Sequence, residues 1–226
     1  MLSVICPIYN EAKYIDVCVQ SILLQDYPKQ QLEVLFVDGM SKDGTRDIVN
    51  NYSKQYPFIR LLNNEKRIVP VAMNIGIKAS IGDIVMRLDA HAQYPPNYFS
   101  VLVKELVRLR ADNVGVACKT DVLNKTSKTL AIREVLSNRF GVGNSTFRLG
   151  VDKVIEVDTV PFGCWKKDVF NKYGFYDERL IRNQDIELNK RIVRGGGHIF
   201  IVPDTYCTYL ARETFDGLAK NNFGNG

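Results

Sequence analysis

Asp83-Ile84-Val85-Met86-Arg87-Leu88-Asp89-Ala90-His91 is the stretch on which the reading of the chain turns. Its apolar, β-branched run reads as a buried strand, Ile84 to Leu88, that delivers an Asp and a His two residues apart just before Tyr94-Pro95-Pro96. Side chains alternate sides along a strand, so Asp89 and His91 face the same way and both reach one cation. A carboxylate oxygen with an imidazole nitrogen suits Mn²⁺ or Mg²⁺, either of which also holds phosphate oxygens. The plainer alternative is a strand-end carboxylate that caps the next turn.

Working back from this stretch, the chain alternates strands with helices. Leu2 to Ile8 is a compact apolar strand, and Asn10-Glu11 opens a helix through about Gln25 with Ile15, Val19, Ile22 and Leu23 at helical spacing. Leu32 to Asp38 is a second strand, Gly39 to Thr45 a polar turn, and Arg46 to Gln55 a helix that Ser41 or Asp43 is placed to cap. Ile59 to Leu62 is a third strand, and Val69 to Ala79 a helix that tolerates Pro70 in its first turn. This βαβ rhythm with right-handed crossovers predicts an α/β fold, a mostly parallel central sheet with helices on both faces. Ligands in such sheets bind beyond the carboxyl ends of the strands, where Tyr9, Asn10, Glu11, Asp38, Asp89 and His91 all fall.

Beyond His91 the pattern is less regular. Asn97 to Arg110 reads as an amphipathic helix, Val114 to Lys119 as a strand, and Lys125 to Arg148 as a polar stretch with a helix around Leu130 to Ser137. Val154 to Val160 reads as a strand leading into Pro161-Phe162-Gly163-Cys164-Trp165. Helices follow at Asp168 to Tyr173 and Asp185 to Val193, the latter stopped by Gly195-Gly196-Gly197 before a strand, His198 to Val202.

Composition bounds the class. The 226 residues are 46% hydrophobic and 24% charged, as in an ordinary globular protein. A net charge of +5 suits phosphates or a lipid headgroup surface and is too small to argue for nucleic acid. Five scattered cysteines without a C-x-x-C pair indicate neither zinc nor a disulfide framework and fit a reducing cytoplasm. No apolar run is long enough to span a membrane, and the first residues lack the basic region of a signal peptide. Residues 211–226 are read as the start of a C-terminal segment of a longer, truncated protein.

Five pieces in register, Pro7-Ile8-Tyr9-Asn10-Glu11, Val37-Asp38-Gly39-Met40-Ser41-Lys42-Asp43-Gly44-Thr45, Asn74-Ile75-Gly76-Ile77, Leu88-Asp89-Ala90-His91 and Gln184-Asp185-Ile186-Glu187-Leu188, resemble the family 2 glycosyltransferases of the GT-A (Rossmann-like) fold. The fuller string from Arg87 to Pro95 resembles the succinoglycan subgroup, which builds bacterial exopolysaccharides. The resemblance implies a single domain over residues 1–210, with a nucleotide-sugar-binding half at 1–91 and an acceptor-binding half at 92–210. It implies that Tyr9 lies against the uracil of a UDP-sugar, that Pro7 and Glu11 shape that pocket, and that Asp38 accepts the imide hydrogen. Asp89 would touch ribose or metal, His91 the metal, and Asp185 would be the catalytic base, with Gln184 beside it on the acceptor side. Such enzymes invert configuration in a single displacement.

Other residues carry two readings each. Lys66 and Arg67 form a solvated turn or approach the diphosphate. Trp165, with Phe162, is a floor under the acceptor sugar or plain core. Glu187 and Arg191 are spaced to pair on a helix surface, and His198 reads as structural.

The chain also departs from the family pattern. The usual acidic pair after the second strand is Asp38-Gly39, the usual Asp-x-Asp is Asp89-Ala90-His91, and the Glu-Asp of the base motif is Gln184-Asp185. The expected activity is hexose transfer from a UDP-sugar to a hydroxyl of a growing glycan, lipid-linked at the cytoplasmic face of the cell membrane, with peripheral membrane contact. The alternative is a non-catalytic nucleotide-sugar-binding scaffold. A sugar-nucleotide pyrophosphorylase would need a Gly-rich loop where Tyr9-Asn10-Glu11 stands, and no G-x-G-x-x-G marks a nicotinamide enzyme.

Overall fold

The computed structural model describes residues 1–137, 150–211 and 214. The polar stretch beyond Ser137, up to Arg148, and nearly all of the expected C-terminal segment lie outside the described residues.

Strands β1 (Leu2–Ile8), β2 (Leu32–Asp38), β3 (Ile59–Asn63) and β4 (Ile84–Arg87) pair in parallel, with β1 between β2 and β4. They alternate with helices α1 (Ile15–Leu23), α2 (Thr45–Gln55) and α3 (Val69–Ala79). After the two-residue β5 (Ala92–Gln93) come α4 (Tyr98–Arg108), β6 (Asn113–Asp121), α5 (Ser127–Ser137), β7 (Ile155–Glu156), β8 (Cys164–Lys166), α6 (Asp168–Tyr173), α7 (Gln184–Arg194) and β9 (Ile199–Leu210). Among the described residues, one sheet takes all nine strands in the order β3-β2-β1-β4-β8-β6-β9-β5, with β7 against β9.

The sheet is buried on both faces, which explains its near-continuous apolar strands. Val4, Cys6 and Ile8 of β1, with Val34 and Phe36 of β2, face Ile15, Val19 and Ile22 of α1, Val49 of α2 and Phe99 and Leu102 of α4. Ile5, Leu35 and Val37 point the other way, onto Met73 and Ile77 of α3, Phe170 of α6 and Leu188 and Ile192 of α7. The period of two in the strands thus sorts the helices onto the two faces.

Four local expectations differ from the structure. Helix α1 begins at Ile15 because Asn10 adopts a left-handed conformation (φ 54°) and residues 11–14 close a turn, with the Glu11 carbonyl accepting from the N–H groups of Tyr14 and Ile15. The strand expected over Val154 to Val160 shrinks to two residues. Beyond it, the Asn189 amide donates to Thr159 Oγ1 (2.9 Å) and the Val160 carbonyl (3.3 Å), taking the place of a ladder partner. Strand β8, not expected at all, inserts antiparallel between β4 and β6. Strand β9 continues past Val202 to Leu210 through a bulge, since Val116 pairs with Val202 while Ala117 pairs with Tyr206.

The expected glycine stop on α7 is a Schellman motif. Gly196 (φ 78°) donates to the Val193 carbonyl, and Gly197 to that of Ile192. Among the described residues no helix is long and apolar enough to cross a membrane.

Candidate active site

The carboxyl ends of β1, β2 and β4 open onto a cleft of about 270 Å³ that gathers Pro7, Tyr9, Glu11, Arg67, Asp89 and His91. Three of the contributing loops, those after β1, β2 and β3, carry a residue in the left-handed conformation: Asn10, Met40 and Arg67. Side chains of the β2–α2 loop hold the β1–α1 loop in place. Ser41 Oγ accepts from Asn10 N–H (2.8 Å), Thr45 Oγ1 from Glu11 N–H (2.8 Å) and Asp43 Oδ2 from Ala12 N–H (3.0 Å), while Asn10 Oδ1 accepts from Lys42 N–H (3.0 Å). Burial works to raise the Asp43 carboxyl, but hydrogen bonds from Thr45 and Ala12 outweigh it and hold the group below its ordinary value. Neither Ser41 nor Asp43 is the N-cap of α2; that position is Gly44, and Asp43 instead accepts from Thr45 N–H at 3.1 Å.

Tyr9 is 46% exposed, with its ring laid on Gly39. A Cβ at residue 39 would stand 3.0 Å from Tyr9 Cδ2, so the absence of a side chain there is what lets the ring lie flat. An exposed aromatic face supported from below is a stacking surface for a planar base. Across the cleft, His91 Nδ1 is 3.1 Å from Asp89 Oδ1 and 3.4 Å from Glu11 Oε1. The buried Tyr94 hydroxyl accepts from Asp89 N–H (2.7 Å) and donates to the Asp89 carbonyl (3.1 Å), fixing that turn. The His91 ring meets those of Tyr14 and Tyr209 edge-on.

Metal bonds of about 2.1 Å at right angles leave two ligand atoms about 3 Å apart, so the Asp89–His91 spacing fits a shared ion. Among the described residues no three His, Cys, Asp or Glu side chains form a complete metal site. Two protein ligands suit an ion whose shell is completed by phosphate oxygens and water.

A second cleft of about 480 Å³ lies at the N-terminus of α7, lined by Val69, Pro161, Ile181, Gln184, Asp185 and Ile186 among others. Val69 borders both clefts, and an ion pair between Arg87 of the first and Asp185 of the second joins them. A quarter of the Asp185 side chain is open to solvent. Burial pushes its carboxyl above the ordinary value, against the pull of the Arg87 guanidinium. A raised carboxyl is the better proton acceptor.

The model of the family described as glycosyl transferase family 2 matches residues 3–174. The chain belongs to this family. It is 28% identical over 230 residues to the "Dolichyl N-acetyl-alpha-D-glucosaminyl phosphate 3-beta-D-2,3-diacetamido-2,3-dideoxy-beta-D-glucuronosyltransferase" of Methanococcus voltae, covering 100% of this chain and 71% of that protein. It is 29% identical to the succinoglycan biosynthesis protein ExoA of Rhizobium meliloti, covering 99% of this chain and 67% of that one. Among solved structures, TarS of S. aureus in complex with UDP-GlcNAc superposes with a TM-score of 0.72 at 19% identity over 96% of this chain. The mannosyltransferase PcManGT of Pyrobaculum calidifontis, in complex with GDP-Man and Mn²⁺, superposes with a TM-score of 0.72 at 22% identity over 95%. This chain spans 60% and 58% of those two structures. The fold is GT-A.

Within this glycosyltransferase, two of the expected site residues line neither cleft. Asp38 is fully buried beneath the first. Its carboxylate accepts from Ser41 N–H (3.0 Å) and Oγ–H (2.5 Å) and pairs with Arg46 (2.5 Å), which also reaches Asn63. Trp165, expected as an acceptor floor, is a correction. It sits on the interior strand β8, is 1% exposed, and packs against Phe170 and Tyr176 in the core, with Gly163 opposite its ring.

Lys66, paired in expectation with Arg67, is tied to Glu178 at 3.0 Å, and Glu178 also binds Asn74. Arg191 does more than pair with Glu187, since it also donates to the carbonyls of Tyr173 and Phe175. His198 pairs with Glu156 where β7 meets β9. The residue that sequence reasoning passed over is Arg87, although a charge inside a buried strand needs a partner and so signals a carboxylate elsewhere in the fold.

Proposed function

We propose that the chain transfers a hexosyl group from a UDP-sugar to a hydroxyl of a growing, lipid-linked glycan, inverting the anomeric configuration. The observation that carries this reading is the Asp185 carboxylate at the junction of the two clefts, tied to a residue that lines the first. The donor occupies the first cleft, its base on Tyr9 and its diphosphate toward Arg67, Asp89 and His91. Asp38 contributes from below by holding the loop that presents Gly39 and Ser41. The acceptor enters by the second cleft, between Gln184, Ile181 and Ile186.

Its hydroxyl oxygen attacks the anomeric carbon from the face opposite the diphosphate. The bond from that carbon to the phosphate oxygen breaks with its electron pair leaving on UDP, and Asp185 takes the hydroxyl proton. Asp89 and His91 would hold Mn²⁺ or Mg²⁺, whose charge offsets that of the departing diphosphate. Dolichyl phosphate in the name of the Methanococcus voltae relative, and succinoglycan in that of the Rhizobium meliloti one, support a lipid-linked or polysaccharide acceptor. The exposed Ile181 and Ile186 give the second cleft an apolar rim suited to such a substrate at the cytoplasmic membrane face.

Two experiments test the reading. Thermal shifts with UDP-, GDP- and dTDP-sugars, with and without Mn²⁺, should show stabilisation by a UDP compound; stabilisation by none of them removes the donor assignment. Asp185→Asn should lower transfer by about 10²- to 10⁴-fold with UDP binding retained. A wild type that neither transfers nor hydrolyses any donor would point to a binding scaffold.

A further inference from the structure

Arg87 belongs to both clefts at once. Its side chain lines the first, and its Nη1 pairs with Asp185 of the second. A guanidinium offers five N–H donors in a rigid fork, and the Nε of Arg87 is buried with no hydrogen-bond partner. A buried donor left unpaired is costly, so the site is built for an acceptor that arrives from outside. Strand β4 fixes where the fork stands, through the Arg87 N–H bond to the Gly163 carbonyl (3.0 Å), and the Phe162 ring lies 5.8 Å from the guanidinium carbon. The cleft that Arg87 faces also holds Arg67, which makes no ion pair among the described residues. Two guanidinium groups at one opening favour an anion with several oxygens, and phosphate geometry matches the arginine fork.

We propose that Arg87 binds the diphosphate of the nucleotide donor and gives up Asp185 when it does so, so that the base is freed only once the donor is in place. Paired with Arg87, Asp185 spends its carboxylate on the guanidinium and is a poor partner for the acceptor hydroxyl. Diphosphate and carboxylate then compete for one guanidinium, and filling the first cleft prepares the second. The order of events follows: a hydroxyl in the second cleft meets a free base only with a donor present, which protects Asp185 from idle proton exchange. Such coupling is reciprocal, so removing the Asp185 charge must tighten diphosphate binding. The freeing of the base rests on the reading of Asp185 given above; the competition for Arg87 does not.

Calorimetric titration of UDP in the presence of Mn²⁺ tests this on the wild type, Arg87→Gln, Arg87→Lys, Asp185→Asn and the Arg87→Gln/Asp185→Asn double variant. Arg87→Gln should weaken UDP by about ten- to a hundredfold, with Arg87→Lys recovering part of the loss. Asp185→Asn should tighten UDP by about three- to tenfold, and that gain should vanish in the double variant. If Arg87→Gln fails to fold, the double variant, which leaves no unpaired charge, is compared with Asp185→Asn and should bind UDP at least about ten- to a hundredfold more weakly, which measures the Arg87 contact without the competing carboxylate; equal affinity of the two overturns the contact. Equal UDP affinity in the wild type, Arg87→Gln and Asp185→Asn, or weaker binding by Asp185→Asn, overturns the proposal. So does a wild type that binds neither UDP nor GDP. Transfer that survives in Asp185→Asn removes the base and leaves the competition for Arg87 standing.

Discussion

Gly76→Ala should destabilise the protein although it improves a helix. Gly76 lies within α3, where replacing glycine by alanine is worth about 1 kcal/mol in propensity. The added Cβ would stand 2.5 Å from Ile5 Cγ2 and 3.0 Å from both Cγ1 and Cδ1 of the same residue. Ile5 is fully buried on β1 among Leu35, Met73 and Ile77. A β-branched side chain on a strand has little rotamer freedom with which to withdraw, so either the ring of contacts or the helix must shift. Overpacking of this kind costs about 1–3 kcal/mol, and contact with three carbons at once places it in the upper part of that range. The net loss is about 1–2 kcal/mol, a fall of about 2–8 °C in midpoint for a chain of this size. Val69 and Ala72 at the start of α3 line the first cleft, so, with the donor placed there as proposed, UDP affinity should fall as well. Urea unfolding and calorimetry measure the first effect and UDP titration the second. In an Ile5→Ala background the clash is gone, and Gly76→Ala should become neutral or stabilising. Stabilisation by about 1 kcal/mol in the wild-type background would refute the packing argument, because it would mean that α3 does not depend on close approach to β1.

Two further outcomes are expected. Gly39→Ala should lift the Tyr9 ring off its support and weaken UDP by about two- to fivefold, less than Tyr9→Ala does, with the stability of the fold almost unchanged; no change in UDP affinity would mean that the ring is not the base platform. Hydrogen bonds from the Arg179 side chain and backbone N–H hold the Asp177 carboxyl at about 2. A carboxyl lowered by folding contributes stability that is complete above its unfolded value, about 4, and disappears as pH falls through the folded one. The gap in urea midpoint between wild type and Arg179→Gln should therefore be constant above pH 5 and close between about pH 4 and 2; a gap that widens on acidification would contradict the assignment.

The first four strands were legible because one physical demand shaped them. A parallel strand covered on both faces must be apolar throughout, and Leu2 to Ile8 and Leu32 to Asp38 begin and end in the structure where that demand begins and ends. Later elements answer to partners far away in sequence. Cys164-Trp165-Lys166 is too short to carry a period, and becomes a strand only because β4 and β6 leave a gap for it and Asn113 Oδ1 accepts from Cys164 N–H. Val154 to Val160 has strand composition, yet Asn189, nearly thirty residues on, draws its second half out of the sheet.

The site divides along the same line. Pro7, Tyr9, Glu11, Arg67, Asp89 and His91 converge because each sits at the carboxyl end of a strand, in the loop just past one or just before a helix on one side, and strand order alone brings such positions together. What sequence could not supply was which charge answers which. Asp38 looked available, but Arg46 and Ser41 already use its oxygens, and neither bond is visible until α2 is folded back against the end of β2. Trp165 looked like a sugar platform by residue type, yet an aromatic ring on a central strand between two helical layers has nowhere to be except the core. Arg87 stood in the deciding stretch and read as strand, while its partner Asp185 lies 98 residues away. A guanidinium at the buried end of a strand is a demand that local sequence cannot meet, and the residue that meets it here is the carboxylate proposed as the base. That pairing gives the strand charge a reason beyond stability: a strut would serve as well with hydrophobic residues of equal volume, whereas a contact that a diphosphate can displace requires these two charges.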